Sequence, residues 1–246
     1  LKEYRWQILV GTSLIALSAA LYTLHYYIFH DAHHIWIYFL GDVAFLPVEV
    51  LLVTMILHQM LEIRDRRKKL EKLNMVIGTF FSSMGTDLLA YLSDHDPHLD
   101  EIRSDLVISS DWSDEEFQTL ETRLKTYSFS VAGTTIDLSG MKTFLAEKED
   151  LLLRLLENPV MLEHESFTEL LRAIFHLTEE LTKRTDFTLL PPSDTEHLLG
   201  DIRRVYSLLV DAWLDYMNYL KNNYPYLFSL AMRTNPFDEE ASVIVR

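Results

Sequence analysis

A chain of 246 residues with a formal charge of −15 and no cysteine excludes several classes at once. Without thiols there is neither a disulfide framework nor a thiolate metal site. An acidic chain also lacks the clustered Lys and Arg that phosphate-backbone binding requires, so no nucleic acid partner is expected. The charge is uneven: residues 1–61 hold two Lys/Arg against four Asp/Glu, residues 62–72 hold six against three, and the rest holds 14 against 30.

Residues 6–29 are the first apolar run, interrupted only by Gln7, Thr12, Ser13, Ser18, Thr23 and His25. The run is too long for a signal-peptide core, no small-residue cleavage site follows it, and a second apolar run comes after. It therefore reads as a transmembrane helix. Trp6 at one end and Tyr26 and Tyr27 at the other sit where interfacial aromatics belong. Thr12, Ala16 and Ala20 form a small-residue face suited to close helix packing.

His30-Asp31-Ala32-His33-His34 is a short polar connection, so the next span should return antiparallel. Lys2 and Arg5 precede the first span, a basic cluster follows the second, and the connection has neither Lys nor Arg. The positive-inside rule then places both termini in the cytoplasm of an inner or plasma membrane protein. Three histidines in five residues would suit metal binding or pH sensing; a polar loop at headgroup level is the plainer reading.

Residues 35–61 supply the second span, roughly 40 Å as a helix against about 30 Å of hydrocarbon. Pro47 opens two arrangements, because the residue before a proline is biased away from helix. Either one helix is kinked there, or residues 35–46 form a separate re-entrant segment and the span starts at Pro47. Residues 47–61 alone cover only about 22 Å, which favours the kinked helix. The basic cluster Arg64, Arg66, Arg67, Lys68, Lys69 and Lys72 comes next, placed for anionic lipid headgroups. Counting in sevens from Asp42 gives Glu49, Ile56, Ile63, Leu70, Ile77 and Met84, with a companion row of Phe45, Leu52, Gln59, Arg66, Leu73, Phe80 and Asp87. Such a stripe predicts self-association along a continuous helix through a juxtamembrane linker at 62–92, with bends at Gly78 and Gly85.

Residues 93–246 read as an acidic cytosolic helical domain. A Ser113/Glu116 capping box should start a helix reaching about Tyr127. Residues 128–137 are expected as loop or a short extended piece. Further helices are expected at 138–157, at 166–184 with a Ser166/Glu169 box, and at 193–222 with a Ser193/Glu196 box. Pro225 precedes a last apolar stretch at 226–232. Phe167, Leu170, Leu171, Ile174, Phe175, Leu177 and Leu181 make the broad apolar face of a bundle helix. The expected fold is therefore all-α: a two-span transmembrane hairpin whose second helix continues into a cytosolic bundle.

Asp42 and Glu49 carry the functional expectation. An ionised carboxylate in mid-bilayer costs about 2.5–3.5 kcal/mol on insertion scales, so acids there face the protein interior or water. In a homo-oligomer each would form a cation-attracting ring, with Leu52, Val53 and Ile56 below as an apolar constriction. The competing reading keeps them in their own hairpin, Asp42 on His25 and Glu49 on Ser18. Asp94, Asp96 and Asp100, with Asp105 at the twelfth place, partly echo a calcium loop. Leu99 replaces its glycine, Pro97 intrudes and the final glutamate is missing. Glu163-His164-Glu165 and Glu179-Glu180 suggest a carboxylate metal site, but no Glu-x-x-His pair occurs and His176 reads as a boundary residue. Phosphate-loop, nucleophile-elbow and H-E-x-x-H signatures are all missing, so no enzyme and no cofactor beyond a bound cation is expected. The aromatic tail from Asn223 to Phe237 is read as packing on its own bundle, with a partner or a neighbouring subunit as the other reading. Two functions follow: a homo-oligomeric cation channel, or a membrane-tethered adaptor whose bundle binds a cytosolic protein.

Overall fold

The structure is a computed structural model that describes residues 5–159, 161 and 164–244, the side chain of Arg67 excepted. Lys2 and Glu163 lie outside the described residues. The chain divides into two compact units, Leu1–Arg66 and Arg67–Arg246, and every regular element among the described residues is helical.

The first unit holds α1, Arg5–Phe29, and most of α2, Ala32–Phe80. Their connection is shorter than the polar run suggests. His30 alone takes a left-handed conformation (φ 50°), and its N–H donates to the Tyr26 carbonyl at 2.8 Å, closing the end of α1. Asp31 Oδ1 then accepts the N–H groups of His33 (2.9 Å) and His34 (3.1 Å) and so starts α2. His33 and His34 thus belong to the first turn of α2. Pro47 lies inside α2, so the re-entrant arrangement is not adopted.

The second unit begins with the end of α2, which passes through a π-helical turn at Phe81–Gly85 into α3, Thr86–Ser93. A 3-10 turn at Leu99–Glu101 and α4, Arg103–Leu106, lead to α5, Asp114–Leu124. Residues 125–137 are non-helical; the Ala132 N–H donates to the His95 carbonyl (2.9 Å), and the Tyr91 hydroxyl bonds both N–H and C=O of Asp137. Then come α6, Leu138–Glu147, α7, Glu149–Leu156, α8, Glu165–Lys183, α9, Pro192–Asn223, and α10, Pro225–Arg233.

The expected helix at 138–157 is two helices. One ends and the next begins at Lys148 (φ −99°, ψ 0°), and Met141 and Leu145 on one side and Leu152 and Leu155 on the other reach the same core. Of the three expected capping boxes, only Ser113/Glu116 forms. His164 caps α8, its ring nitrogen accepting the Phe167 N–H, and α9 starts at Pro192 without a side-chain cap. Proline suits a first helical turn because its missing N–H would have gone unpaired there.

Phe80, Met84, Leu88, Leu92, Phe167, Leu170, Ile174, Leu177, Val205, Tyr206, Leu209 and Met217 are buried in one core. That core decides the fate of the heptad stripe. Ile63 is 69% exposed, whereas Ile77 is 6% exposed, and Leu73, Phe80 and Met84 are buried with it. The stripe is therefore not one continuous surface for self-association. From Leu73 onward it packs within its own chain, and the expected linker at 62–92 belongs largely to the bundle. The aromatic tail packs in part on its own unit: Phe228 and Phe237 are buried, Phe237 stands edge-on to Trp213 at 5.1 Å, and Asn235 donates to the Leu106 carbonyl at 2.8 Å.

Gly85 ends the π-helical turn because nothing larger fits. A Cβ there would stand 2.6 Å from Phe80 Cε1 and 2.8 Å from Phe81 Cδ1, inside two core rings. Gly85→Ala should gain about 0.5–1 kcal/mol of helix propensity but lose about 1–3 kcal/mol to overpacking. The expected result is a lower urea midpoint for the detergent-purified chain; a raised midpoint would show that the rings move aside freely.

Candidate functional site

Asp42 and Glu49 lie on the part of α2 that is exposed throughout, and one helical heptad separates them, so they share a face. Leu52, Val53 and Ile56 continue that region and are exposed as well. Neither carboxylate takes part in a side-chain hydrogen bond or ion pair among the described residues. The pairings with His25 and Ser18 that the competing reading requires are not made. Instead the His25 ring lies 4.7 Å from Phe29 and stacks 5.9 Å from His34 across the hairpin, leaving its Nε2 buried without a partner. The hydroxyls of Thr12, Ser13 and Thr23 donate back to carbonyls of α1 itself. Arg64, Arg66, Lys68, Lys69 and Lys72 are exposed; the side chain of Arg67 is outside the described residues.

The calcium-loop candidates do not come together. Asp96 is buried, and its oxygens accept from the Tyr127 hydroxyl (2.8 Å), the Ser130 hydroxyl (3.3 Å) and the His98 N–H (3.0 Å). Burial and the adjoining Asp96 carboxylate push the Tyr127 hydroxyl pKa up, so it remains a donor. Asp94 and Asp100 point to solvent, and Asp100 pairs loosely with Arg103 at 3.5 Å. Asp96 therefore ties the α3–α4 turn to the loop that follows α5.

A different cluster forms where α8 and α9 run antiparallel. His176 and Glu180 stand one turn apart on α8, and His197 and Asp201 one turn apart on α9. His176 Nε2 lies 3.7 Å from Asp201 Oδ2, and His197 Nε2 lies 3.5 Å from the same oxygen and 3.9 Å from Glu180 Oε2. Arg184 donates to Glu180 Oε2 (2.6 Å) and forks onto both oxygens of Asp194 (2.6 and 2.9 Å), holding both carboxyls below the usual carboxylate range. Sequence reading passed over this set by weighing Glu179 with Glu180 and treating His176 alone. The legible signal was a pair of i, i+4 His/acid spacings on successive helices, His176-x-x-x-Glu180 and His197-x-x-x-Asp201.

Comparison with known proteins divides the chain in much the same place as its contacts do. Residues 2–61 match the family model described as MJ1433, N-terminal helical domain, and residues 69–233 match Uncharacterized protein MJ1433, C-terminal helical domain. The chain is also 45% identical over 244 residues to Uncharacterized protein MJ1433 of Methanocaldococcus jannaschii, covering 99% of this chain and 98% of that protein. The chain belongs to the MJ1433 family. As a member of the MJ1433 family it is an all-helical protein with an N-terminal and a C-terminal helical domain. The gap between the two matched regions holds the unit boundary at Arg66 and most of the basic cluster. No solved structure matches this MJ1433-family chain.

Proposed function

We propose that this chain is a two-span, homo-oligomeric membrane protein in which neighbouring copies of α2 gather Asp42 and Glu49 around a shared wet axis and so form a cation pathway. Leu52, Val53 and Ile56 are its apolar constriction. The basic cluster sits against anionic headgroups, both termini are cytoplasmic, and the acidic bundle assembles or gates the pathway. The observation that carries this reading is that both carboxylates are exposed and unpartnered among the described residues. Two further features support it. Both α1 and α2 have stretches long and apolar enough to cross a membrane, and none of the residues in those stretches is buried. A soluble core helix of that composition would be covered by its own chain.

A second reading, a membrane-tethered adaptor whose bundle recruits a cytosolic protein, is favoured by one specific fact. The heptad stripe is consumed within the chain from Leu73 onward, which leaves the bundle a compact unit with its own core.

The absence of cysteine makes the test clean. Glu49→Cys introduces a single thiol, which a short bifunctional maleimide should join between copies in native membranes. Leu51→Cys, about 200° away on the helix, should stay monomeric under the same treatment. Equal cross-linking at both positions, or none at position 49, would defeat the shared-axis reading and leave the adaptor.

A further inference from the structure

The outer seam between α8 and α9 is a ladder of polar rungs in antiparallel register. At one end Glu169 pairs with Arg204 (3.0 Å), and at the other Arg184 pairs with Asp194 and Glu180. Those rungs are complementary as they stand. Between them two imidazoles, His176 and His197, face Asp201, and Glu180 is shared between Arg184 and His197.

We propose that His176, Glu180, His197 and Asp201 form a binding site for one divalent first-row transition-metal ion that clasps α8 to α9. His176, Glu180 and His197 each offer a ligating atom within 4.8 Å of the other two. Asp201 Oδ2 adds a fourth, fully buried at the atom yet without a hydrogen-bond partner, and both imidazole Nε2 atoms converge on it. A tetrahedral ion with ligands at about 2.0–2.2 Å separates them by about 3.3–3.6 Å. Three of the contacts, at 3.5, 3.7 and 3.9 Å, lie within a few tenths of an ångström of that range, and His176 must draw in from within 4.8 Å of Glu180 and His197. Glu180 can serve although Arg184 already holds it, because a carboxylate has about four acceptor sites.

Charge points the same way. Arg184 offsets one of the three carboxylates Glu180, Asp194 and Asp201, which leaves two negative charges for a dication to neutralise. Two imidazoles with two oxygens suit zinc, cobalt, nickel or copper, whereas magnesium and calcium prefer oxygen alone. The histidines are about half exposed, 51% and 52% by side chain, so the ion enters from solvent, while Asp201 is 18% exposed and anchors it. This site is independent of any cation pathway through α2.

The test uses the full chain in detergent, stripped with chelator. Cobalt should give visible ligand-field bands of nitrogen–oxygen ligation, and calorimetry should count one zinc per chain, weakening as the buffer is acidified because ligand imidazoles must shed their protons. His176→Gln with His197→Gln should lower zinc affinity by more than the roughly 10–100-fold typical of losing an outer-shell partner, and should abolish the rise in melting temperature that zinc gives. Asp201→Asn should weaken binding with the histidines intact. His33→Gln with His34→Gln, in the first turn of α2, should leave the equivalent in place. The proposal is overturned if the equivalent survives the first pair, disappears with the second, or never appears in the unmodified chain.

Discussion

Glu49→Gln should leave assembly intact and cut cation flux into liposomes by about tenfold or more. The argument is electrostatic. A ring of like charges in a low-dielectric passage raises the local concentration of counter-ions by about 10–1000-fold, and amide side chains of the same shape remove that field. Glutamine is close in size to glutamate, so packing around position 49 is preserved. Asp42→Asn should act in the same direction, and the two together should convert the pathway to one with little preference for cations. Unchanged flux and unchanged selectivity in Glu49→Gln, with the oligomer intact by mass, would remove the pathway and leave the adaptor reading.

Phe80→Ala should destabilise the bundle by about 3–5 kcal/mol, which for a unit of this size corresponds to a fall in melting temperature of about 6–20 °C. Phe80 is fully buried and meets Phe81 and Phe167 edge-to-face at 5.1 and 5.2 Å, so truncation leaves a cavity bordered by both rings. Phe45 is the sharp control. It occupies the same row of the heptad stripe five repeats earlier but is exposed. Phe45→Ala should leave the unfolding of the second unit unchanged. A loss below about 1 kcal/mol at Phe80, or equal losses at both positions, would contradict the burial pattern.

Phe45 and Phe80 also mark how much of this protein can be read from its residues in order. Apolar runs, prolines and charge clusters are local signals, and they located α1, α2 and the approximate extents of α5, α8, α9 and α10. Helix ends fared worse, because a capping box needs its serine at the true terminus. At α8, His164 takes the cap two residues before Ser166, and at α9 the helix already starts at Pro192. The break at Lys148 left no mark either, since residues 138–157 include no proline and their one glycine lies well before it. The core on both sides of that turn selects it.

The candidate sites divide along the same line. Asp42 and Glu49 stand out in the sequence because they are carboxylates inside an otherwise apolar run, a contrast that can be read without knowing what surrounds them. The aspartates at 94, 96 and 100 looked like ligands by spacing, yet Asp96 faces Tyr127 and Ser130, which lie more than 30 residues away in the chain. The His176–Glu180 and His197–Asp201 set shows the converse. Each pair is an unremarkable surface spacing by itself, and only the antiparallel packing of α8 on α9 makes one cluster of them.

By itself the sequence determined that the chain is helical, that its apolar residues are concentrated at one end, and that two acids interrupt the second of its apolar runs. Those facts depend on composition and on periodicity along a single helix, which need no partner to be read. Tertiary structure alone decided where the heptad stripe passes from exposed surface to buried core, which aspartate is a structural knot, and which histidines share a carboxylate. Each of these is a meeting of segments distant in sequence, set by how the helices pack together rather than by any one of them.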